Sequence, residues 1–257
     1  MIRCTRVNGA AVTENTSITT ITKNMAKMID WHTHILPLMD DGSRSTEESA
    51  TMLERCINMG VKGVVLTPHF YPYKEDPESF LKRRDRSLAR LKEHISKSPA
   101  WPALISGAEV YYFPELALLE EERLKELCIG ESRYLMVELP AEPWDEDIYI
   151  TLESMICNRK IIPVLAHIDR YFHFIKDVAP LRELIRLGML VQLNVEALDG
   201  FFTRRKALKW IDAGMVHLLA SDCHDVSKRP PNLDRGCEIL RKHIDQKTIE
   251  RITTVTP

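Results

Sequence analysis

The sequence predicts an α/β fold in which a parallel sheet closes into a seven-stranded barrel with helices outside. From residue 29 onward an apolar strand, a polar loop and a helix recur, and seven such units fit between residues 29 and 244. Strands separated by helices run parallel. That many units in a chain of 257 residues suit a closed barrel better than an open sheet. A doubly wound open sheet is the alternative. No Gly-x-Gly-x-x-Gly follows the first strand, which counts against its dinucleotide-binding version.

The elements follow in order. Strand one covers 29–36, and Asp41-Gly42 marks a loop. Ser45 with Glu48 three residues later is a capping box, which starts a helix that runs to about Met59 and stops at Gly60. Strand two is 63–69, followed by a charged helix over 77–97. Strand three spans 103–111, with a short helical stretch at 114–126. Strand four is 134–139 with a helix at 145–158, and strand five is 161–167 with a helix at 177–187. Strand six is 189–195 with a helix at 201–213, and strand seven is 216–222 with a last helix at 233–244.

Residues 1–27 differ: they are rich in Thr and Asn and carry no core-like period. They read as a disordered extension or a remnant ahead of the native start, with Met25 or Met28 as natural beginnings, and residues 28–257 as a single domain. The extension lacks the continuous apolar stretch of a secretory signal. Composition is that of a soluble globular protein, with 44% hydrophobic and 28% charged residues and a net charge of −2. No basic block points to a nucleic-acid partner, and no apolar run reaches the ~18 residues of a membrane span. The six cysteines are scattered without a Cys-x-x-Cys, the pattern of reduced thiols in a cytoplasmic protein. The helix after Ser45 has apolar residues enough for the barrel or for a subunit contact, so a homo-oligomer is compatible with the sequence.

Polar residues collect at one end of the strands. Strand one ends in His32 and His34, with Asp41 in its loop, and strand two ends at His69. Strands three and four carry Glu109 and Glu138, strand five ends at His167, and strand seven gives Asp222 and His224. Strand six supplies no obvious ligand, though Asn194 and Glu196 are nearby. An i, i+2 pair on a strand points both side chains to one face. In a parallel barrel all these ends meet on one side, where barrel active sites lie. A lone His-x-His is more often hydrogen-bonded or solvated than metal-bound. Six strands each delivering an imidazole or carboxylate at one end is hard to produce by packing, because each such group is costly to bury alone.

Nine donors exceed the needs of one ion and allow two or three if a carboxylate bridges. Mixed imidazole and carboxylate donors without cysteine suit Mn, Fe or Zn. Such a cluster makes hydroxide near neutral pH and clamps an anionic oxygen, which is the chemistry of phosphate ester hydrolysis. Arg170 and Arg229, three residues after His167 and five after His224, stand at the same rim with forks suited to phosphate.

Residues 28–257 resemble a PHP-domain (polymerase and histidinol phosphatase) protein. Within that superfamily they resemble the metal-dependent protein-tyrosine phosphatases of bacterial capsule and exopolysaccharide operons. The resemblance rests on the first histidine pair followed by Asp40-Asp-Gly42, on Thr67-Pro-His69, Gly107-Ala-Glu109 and Val137-Glu-Leu-Pro140. It continues through Ala166-His-Ile-Asp-Arg-Tyr171, Ser221-Asp-Cys-His224 and Arg229-Pro-Pro231. It implies a distorted (β/α)7 barrel with three divalent ions, manganese in preference to iron or zinc. One ion would take His32, His34, Glu109 and Asp222. A second would share Glu109 and add Glu138 and His167, and a third would take Asp41, His69 and His224. Arg170 and Arg229 match the family's phosphate-binding arginines. The resemblance also implies a substrate, the phosphotyrosine-bearing tail of a bacterial tyrosine kinase, attacked by a metal-held hydroxide.

The chain departs from the family at Leu38-Met39, where glycine is more frequent, at Cys223, where alanine is usual, and at Asn194-Val-Glu196, where Glu196 would alter the pocket wall. Rival readings are a histidinol-phosphatase-like phosphoesterase, an exonuclease of the same superfamily and a non-catalytic metal-binding module. Cys223 to Arg229 also satisfies the Cys-x5-Arg pattern of thiol-dependent tyrosine phosphatases. Asp225 inside that loop would repel the anion, no glycine eases the turn, and His224 is better used as a metal ligand.

Overall fold

The computed structural model describes residues 28–96 and 101–257. The extension expected over 1–27 lies outside the described residues. The chain alternates strands and helices as expected: β1 Met28–Thr33, α1 Thr46–Asn58, β2 Val61–Leu66, β3 His69–Phe70, α2 Pro77–Ile95, β4 Ala103–Ser106, β5 Glu109–Tyr111. There follow a 3-10 turn at Pro114–Leu118, α3 Glu121–Leu127, β6 Tyr134–Glu138, α4 Glu146–Cys157, β7 Ile162–Leu165, a 3-10 turn at Ile168–Tyr171 and α5 Ala179–Leu187. The remainder is β8 Leu190–Asn194, a 3-10 turn at Val195–Leu198, α6 Phe201–Asp212, β9 Leu218–Ala220, α7 Leu233–Leu240 and α8 Gln246–Thr253.

All strand pairs are parallel, in two hydrogen-bonded sheets ordered β1-β2-β4 and β3-β5-β6-β7-β8-β9. The expected strands two and three are therefore each broken in the middle. Thr67-Pro68 interrupts the first, because proline has no N–H for the ladder, and Gly107-Ala108 interrupts the second. Pairing still bridges the break: the Gly107 N–H donates to Leu66 O at 2.9 Å and the Glu109 N–H to Pro68 O at 3.0 Å. The chain after β9 joins β1 in the same way. The Asp222 N–H donates to His32 O and the His34 N–H to Cys223 O, both at 2.9 Å, around a parallel bridge between Thr33 and Cys223.

Side chains pack on both faces of the strands. The larger core lies between strands and helices. A smaller cluster is made by Trp31, Val65, Met136, Val164 and Leu218, which meet from β1, β2, β6, β7 and β9. Trp31 is fully buried, meets Tyr134 edge-on at 5.5 Å and donates from Nε1 to Val255 O at 2.8 Å, so the C-terminal segment covers this cluster.

Local chemistry sets the helix ends. Ser45 caps α1 by accepting from the Glu48 N–H at 3.2 Å; the return bond of Glu48 goes to the Arg44 N–H at 2.8 Å, one residue earlier than a reciprocal box places it. The residues α1 buries, Ser49, Met52, Leu53 and Cys56, face the core. The last helix expected at 233–244 ends at Leu240, and α8 is an additional element that Asp245 caps through the Thr248 N–H at 2.9 Å.

Candidate metal and phosphate site

Six of the seven expected strands bring nine side chains to one end, and the structure gathers all nine into a single cluster. His32 lies in β1 where the register shifts between Asp30 and Thr33, and His34 follows directly after the strand. Their Nε2 atoms approach to 3.2 Å. Glu109 Oε2 lies 3.2 Å from His32 Nε2 and 3.3 Å from His34 Nε2. Asp222 Oδ1 lies 3.5 and 3.4 Å from the same two atoms. Donors about 2.0–2.1 Å from one ion in tetrahedral array are separated by roughly 3.4 Å, so His32, His34 and Asp222 have the spacing of a coordination shell, with Glu109 Oε2 at the same distance from the two histidines.

Glu109 stands at the centre. Its Oε1 is 2.8 Å from His167 Nε2 and its Oε2 is 2.8 Å from His69 Nδ1. Glu138 joins from β6, with Oε1 3.5 Å from His167 Nε2 and Oε2 3.7 Å from His69 Nδ1. On the outer side Asp41 Oδ1 lies 3.7 Å from His69 Nε2 and 3.6 Å from His224 Nε2. Three groupings have donor atoms that all lie within 4.8 Å of one another: His34, Asp41, His69 and His224; His32, His34 and Asp222; and His69, Glu109 and Glu138. His69 thus lies between the group with Asp41 and the group with Glu138, whereas the sequence resemblance gave it to one ion only.

Asp41 is 70% exposed at the mouth, while His32, His34, Glu109, His167, Asp222 and His224 are buried. His167 and Asp222 adopt positive φ, 29° and 51°, a conformation unfavourable for side-chain-bearing residues. Backbone strain at two strand ends is thus part of how the cluster is assembled. Gly42 is required for a different reason: a Cβ there would stand 2.3 Å from His34 O.

A second layer, not apparent from the sequence, aims the first. Gln192 Oε1 lies 3.1 Å from His32 Nδ1 and accepts from the His167 N–H at 2.7 Å, so His32 donates there and keeps Nε2 as a lone pair toward the cluster. Gln192 Nε2 donates to Asn194 Oδ1 at 2.8 Å, and Asn194 Nδ2 donates to Asp222 Oδ2 at 2.9 Å. Asp40 Oδ2 holds His34 Nδ1 and the His69 N–H, each at 2.8 Å, and its Oδ1 accepts from the Gly42 N–H at 2.9 Å. One signal was available: Gln192 and Asn194 interrupt an apolar strand at the same i, i+2 spacing as the histidine pairs.

Arg170 and Arg229 do reach the cluster. Each places Nη2 2.8 Å from Asp222 Oδ2, and Arg170 Nη1 lies 3.5 Å from Glu138 Oε1. With Asn194 they occupy Oδ2 and leave Oδ1 facing the histidines. Glu196 is exposed and lies in the field of both arginines; desolvation raises its carboxyl and Arg229 opposes that.

The electrostatics favour added positive charge. Burial lowers the affinity of His34 and His167 for a proton, yet the surrounding carboxylates outweigh it. Asp40, Asp222 and Glu109 hold His34 well above its ordinary value, and Glu109 and Glu138 push His167 up to about 9. Burial would raise Glu109 and Asp222, but the histidines beside them hold both carboxyls well below the usual range. His224 goes the other way, to about 4, by burial and by repulsion from His34. Cys223 is fully buried and burial pushes its thiol far up, with Asp30 adding to it, the reverse of what a thiolate nucleophile needs.

A parallel α/β protein with imidazoles and carboxylates converging at its strand ends, rimmed by two arginines, has the donor set of a metal-assisted hydrolase. Comparison with known proteins makes this specific. The profile of the family described as "Capsular polysaccharide synthesis, CpsB/CapC" matches residues 28–257, and the chain belongs to that family. It is 32% identical over 246 residues to the tyrosine-protein phosphatase CpsB of Streptococcus pneumoniae, which covers 90% of this chain and 96% of that one. It is 27% identical to the tyrosine-protein phosphatase YwqE of Bacillus subtilis, over 84% of each. The solved structures described as YwqE of Bacillus subtilis and CpsB of Streptococcus pneumoniae, "unique metal-dependent tyrosine phosphatases", share the fold with a TM-score of 0.74 at 23% identity, covering 86% of this chain and 90% of that one.

Proposed function

We propose that this chain is a cytoplasmic, metal-dependent protein-tyrosine phosphatase whose strands close as a distorted (β/α)7 barrel. Its substrate is the phosphotyrosine-bearing tail of a bacterial tyrosine kinase that serves capsule or exopolysaccharide synthesis. The bonds through the Thr67-Pro68 and Gly107-Ala108 breaks and the bridge between Thr33 and Cys223 support closure. Among the described residues no helix is long and apolar enough to cross a membrane.

One observation carries the reading of the site. Among the described residues seven buried side-chain polar atoms lack a hydrogen-bond partner, and four of them are turned to other cluster donors: His69 Nδ1, Glu109 Oε2, Asp222 Oδ1 and His224 Nε2. Buried polar atoms are ordinarily paired. Here several crowd together within ion-pair distance but outside hydrogen-bond geometry, as donors to a shared cation do. The residues therefore fit divalent ions. His32, His34, Asp41, His69, Glu109, Glu138, His167, Asp222 and His224 would hold three, manganese in preference to iron or zinc.

Bound ions of this kind supply Lewis-acid activation of water and neutralise phosphate charge. The chain does the rest. Arg170 and Arg229 exchange their contacts with Asp222 Oδ2 for the phosphate oxygens, so substrate enters a site whose cationic forks are already in place. Asn194 keeps Asp222 fixed during that exchange. Gln192 and Asp40 hold the tautomers of His32 and His34. Tyrosinate, the conjugate base of a phenol of pKa about 10, departs with little protonation, so no dedicated general acid is needed. Turnover of a phosphotyrosine peptide and of histidinol phosphate by manganese-reconstituted protein, side by side, tests the reading. Preference for the peptide is expected; preference for the amino-alcohol phosphate overturns it.

A further inference from the structure

On the β3–β5 side of the mouth stands a group of aromatic rings that the phosphate chemistry does not use. Tyr71 follows β3 and stacks on His69 at 5.0 Å with an interplanar angle of 27°. Tyr73 lies 5.4 Å from Tyr71, and Tyr111 lies 5.9 Å from Tyr71 and 6.3 Å from Tyr73, the last pair edge-on at 89°. Tyr111 sits in register with Glu138. Lys74 Nζ covers Tyr71 at 4.1 Å from its centroid. Tyr73 is 71% exposed, so the core does not account for it.

The rings divide two cavities. One of about 380 Å³ is lined by Asp41, His69, Tyr71 and Lys74 and belongs to the polar cluster. The other, of about 510 Å³, is lined by Phe70, Pro72, Tyr73, Tyr111 and Phe113. A phosphate seated among the nine donors and the two arginines directs its ester oxygen outward. On this side Tyr71 stacks on His69, and Tyr111 and Tyr73 come next to Tyr71, so a leaving group directed this way reaches those rings. An aryl leaving group gains ring-to-ring contacts there that an alkyl one cannot make.

We propose that Tyr73 and Tyr111, backed by Tyr71, are specificity-determining residues that select an aromatic leaving group. This inference rests on the phosphotyrosine reading and names the residues that enforce it. The occupant is the phenyl ring of the phosphotyrosine itself.

The test compares phenyl phosphate and a phosphotyrosine peptide with acetyl phosphate, a mixed anhydride with a good leaving group and no ring, on manganese-loaded wild type, Tyr73→Ala, Tyr73→Phe and Tyr111→Ala. We expect the ratio of aryl to acetyl kcat/KM to fall about tenfold in Tyr73→Ala, carried by KM, and to recover in Tyr73→Phe. Metal content measured on each variant reports whether the cluster is intact. Equal losses on both substrate types, or an unchanged ratio in Tyr73→Ala with metal content intact, overturn the aromatic wall while the phosphatase reading stands. Wild-type protein that turns over acetyl phosphate but neither aryl substrate overturns both. Tyr73 is a surface residue, so the Ala variant folds independently of the outcome for the half-buried Tyr111.

Discussion

The two ends of the same strands are built from opposite chemistry. Away from the site, Trp31, Val65, Met136, Val164 and Leu218 make a dry cluster in which Trp31 Nε1 is satisfied by Val255 O. A few residues further along, the strands end in imidazoles and carboxylates, several with no hydrogen-bond partner and two with positive φ. The first end is buried and apolar, with the Trp31 N–H paired. The second carries strain and unpaired polar atoms that cations would relieve. Stability and chemistry are therefore separated along each strand: changes at one end should be read in melting, and at the other in metal content and turnover.

The largest expected effect breaks the polar end. His34→Ala or Asp222→Ala should abolish phosphotyrosine turnover, a fall of at least about a thousand-fold, and reduce bound metal by elemental analysis. Trp31→Ala strikes the other end. It should cost about 3–5 kcal/mol in denaturant unfolding while the folded fraction keeps its metal. Gly42→Ala tests whether the loop bearing Asp40 and Asp41 must lie against His34. Its Cβ would meet His34 O at 2.3 Å, so turnover should fall by about 10- to 100-fold with the melting temperature changed far less.

A smaller effect lies away from the cluster. His217 Nδ1 accepts from the Val191 N–H at 3.1 Å, and burial with Arg251 nearby pushes the imidazole down to about 4. Unfolded, it titrates near 6.5. Between those values the unfolded chain binds the extra proton, so this contribution is complete above about 6.5 and is lost as pH falls toward about 4. His217→Asn, which keeps an acceptor but cannot charge, should flatten that part of the stability–pH curve. The smallest change is Cys223→Ser, which should retain much of the activity because the buried thiol touches none of the chemistry.

Much of the polar end was legible in the sequence. Apolar runs that stop at His32, His69, Glu109, Glu138, His167 and Asp222 expose the site because a strand buried on both faces has no other reason to end that way. What the sequence hid acts through a neighbour in space. Asp40 reads like any loop aspartate beside Asp41, and only the fold puts it on His34 Nδ1 and the His69 N–H. Gln192 reads as a polar residue in a strand until His32 and His167 are seen to share its oxygen. The strand breaks at Thr67-Pro68 and Gly107-Ala108 were visible as residues, but their effect depends on the partner strand. The helix α8 was missed because its apolar positions, Ile249 and Ile252, make too short a pattern without the strands it packs on.

The central claim is that the strand-end cluster is a metal-dependent phosphatase site. The most direct measurement pairs metal analysis with phosphotyrosine-peptide turnover before chelation, after it and after manganese is restored. We predict three divalent ions per chain, activity lost with the chelator and regained with manganese. Turnover that survives complete removal of metal and disappears in Cys223→Ser would contradict it.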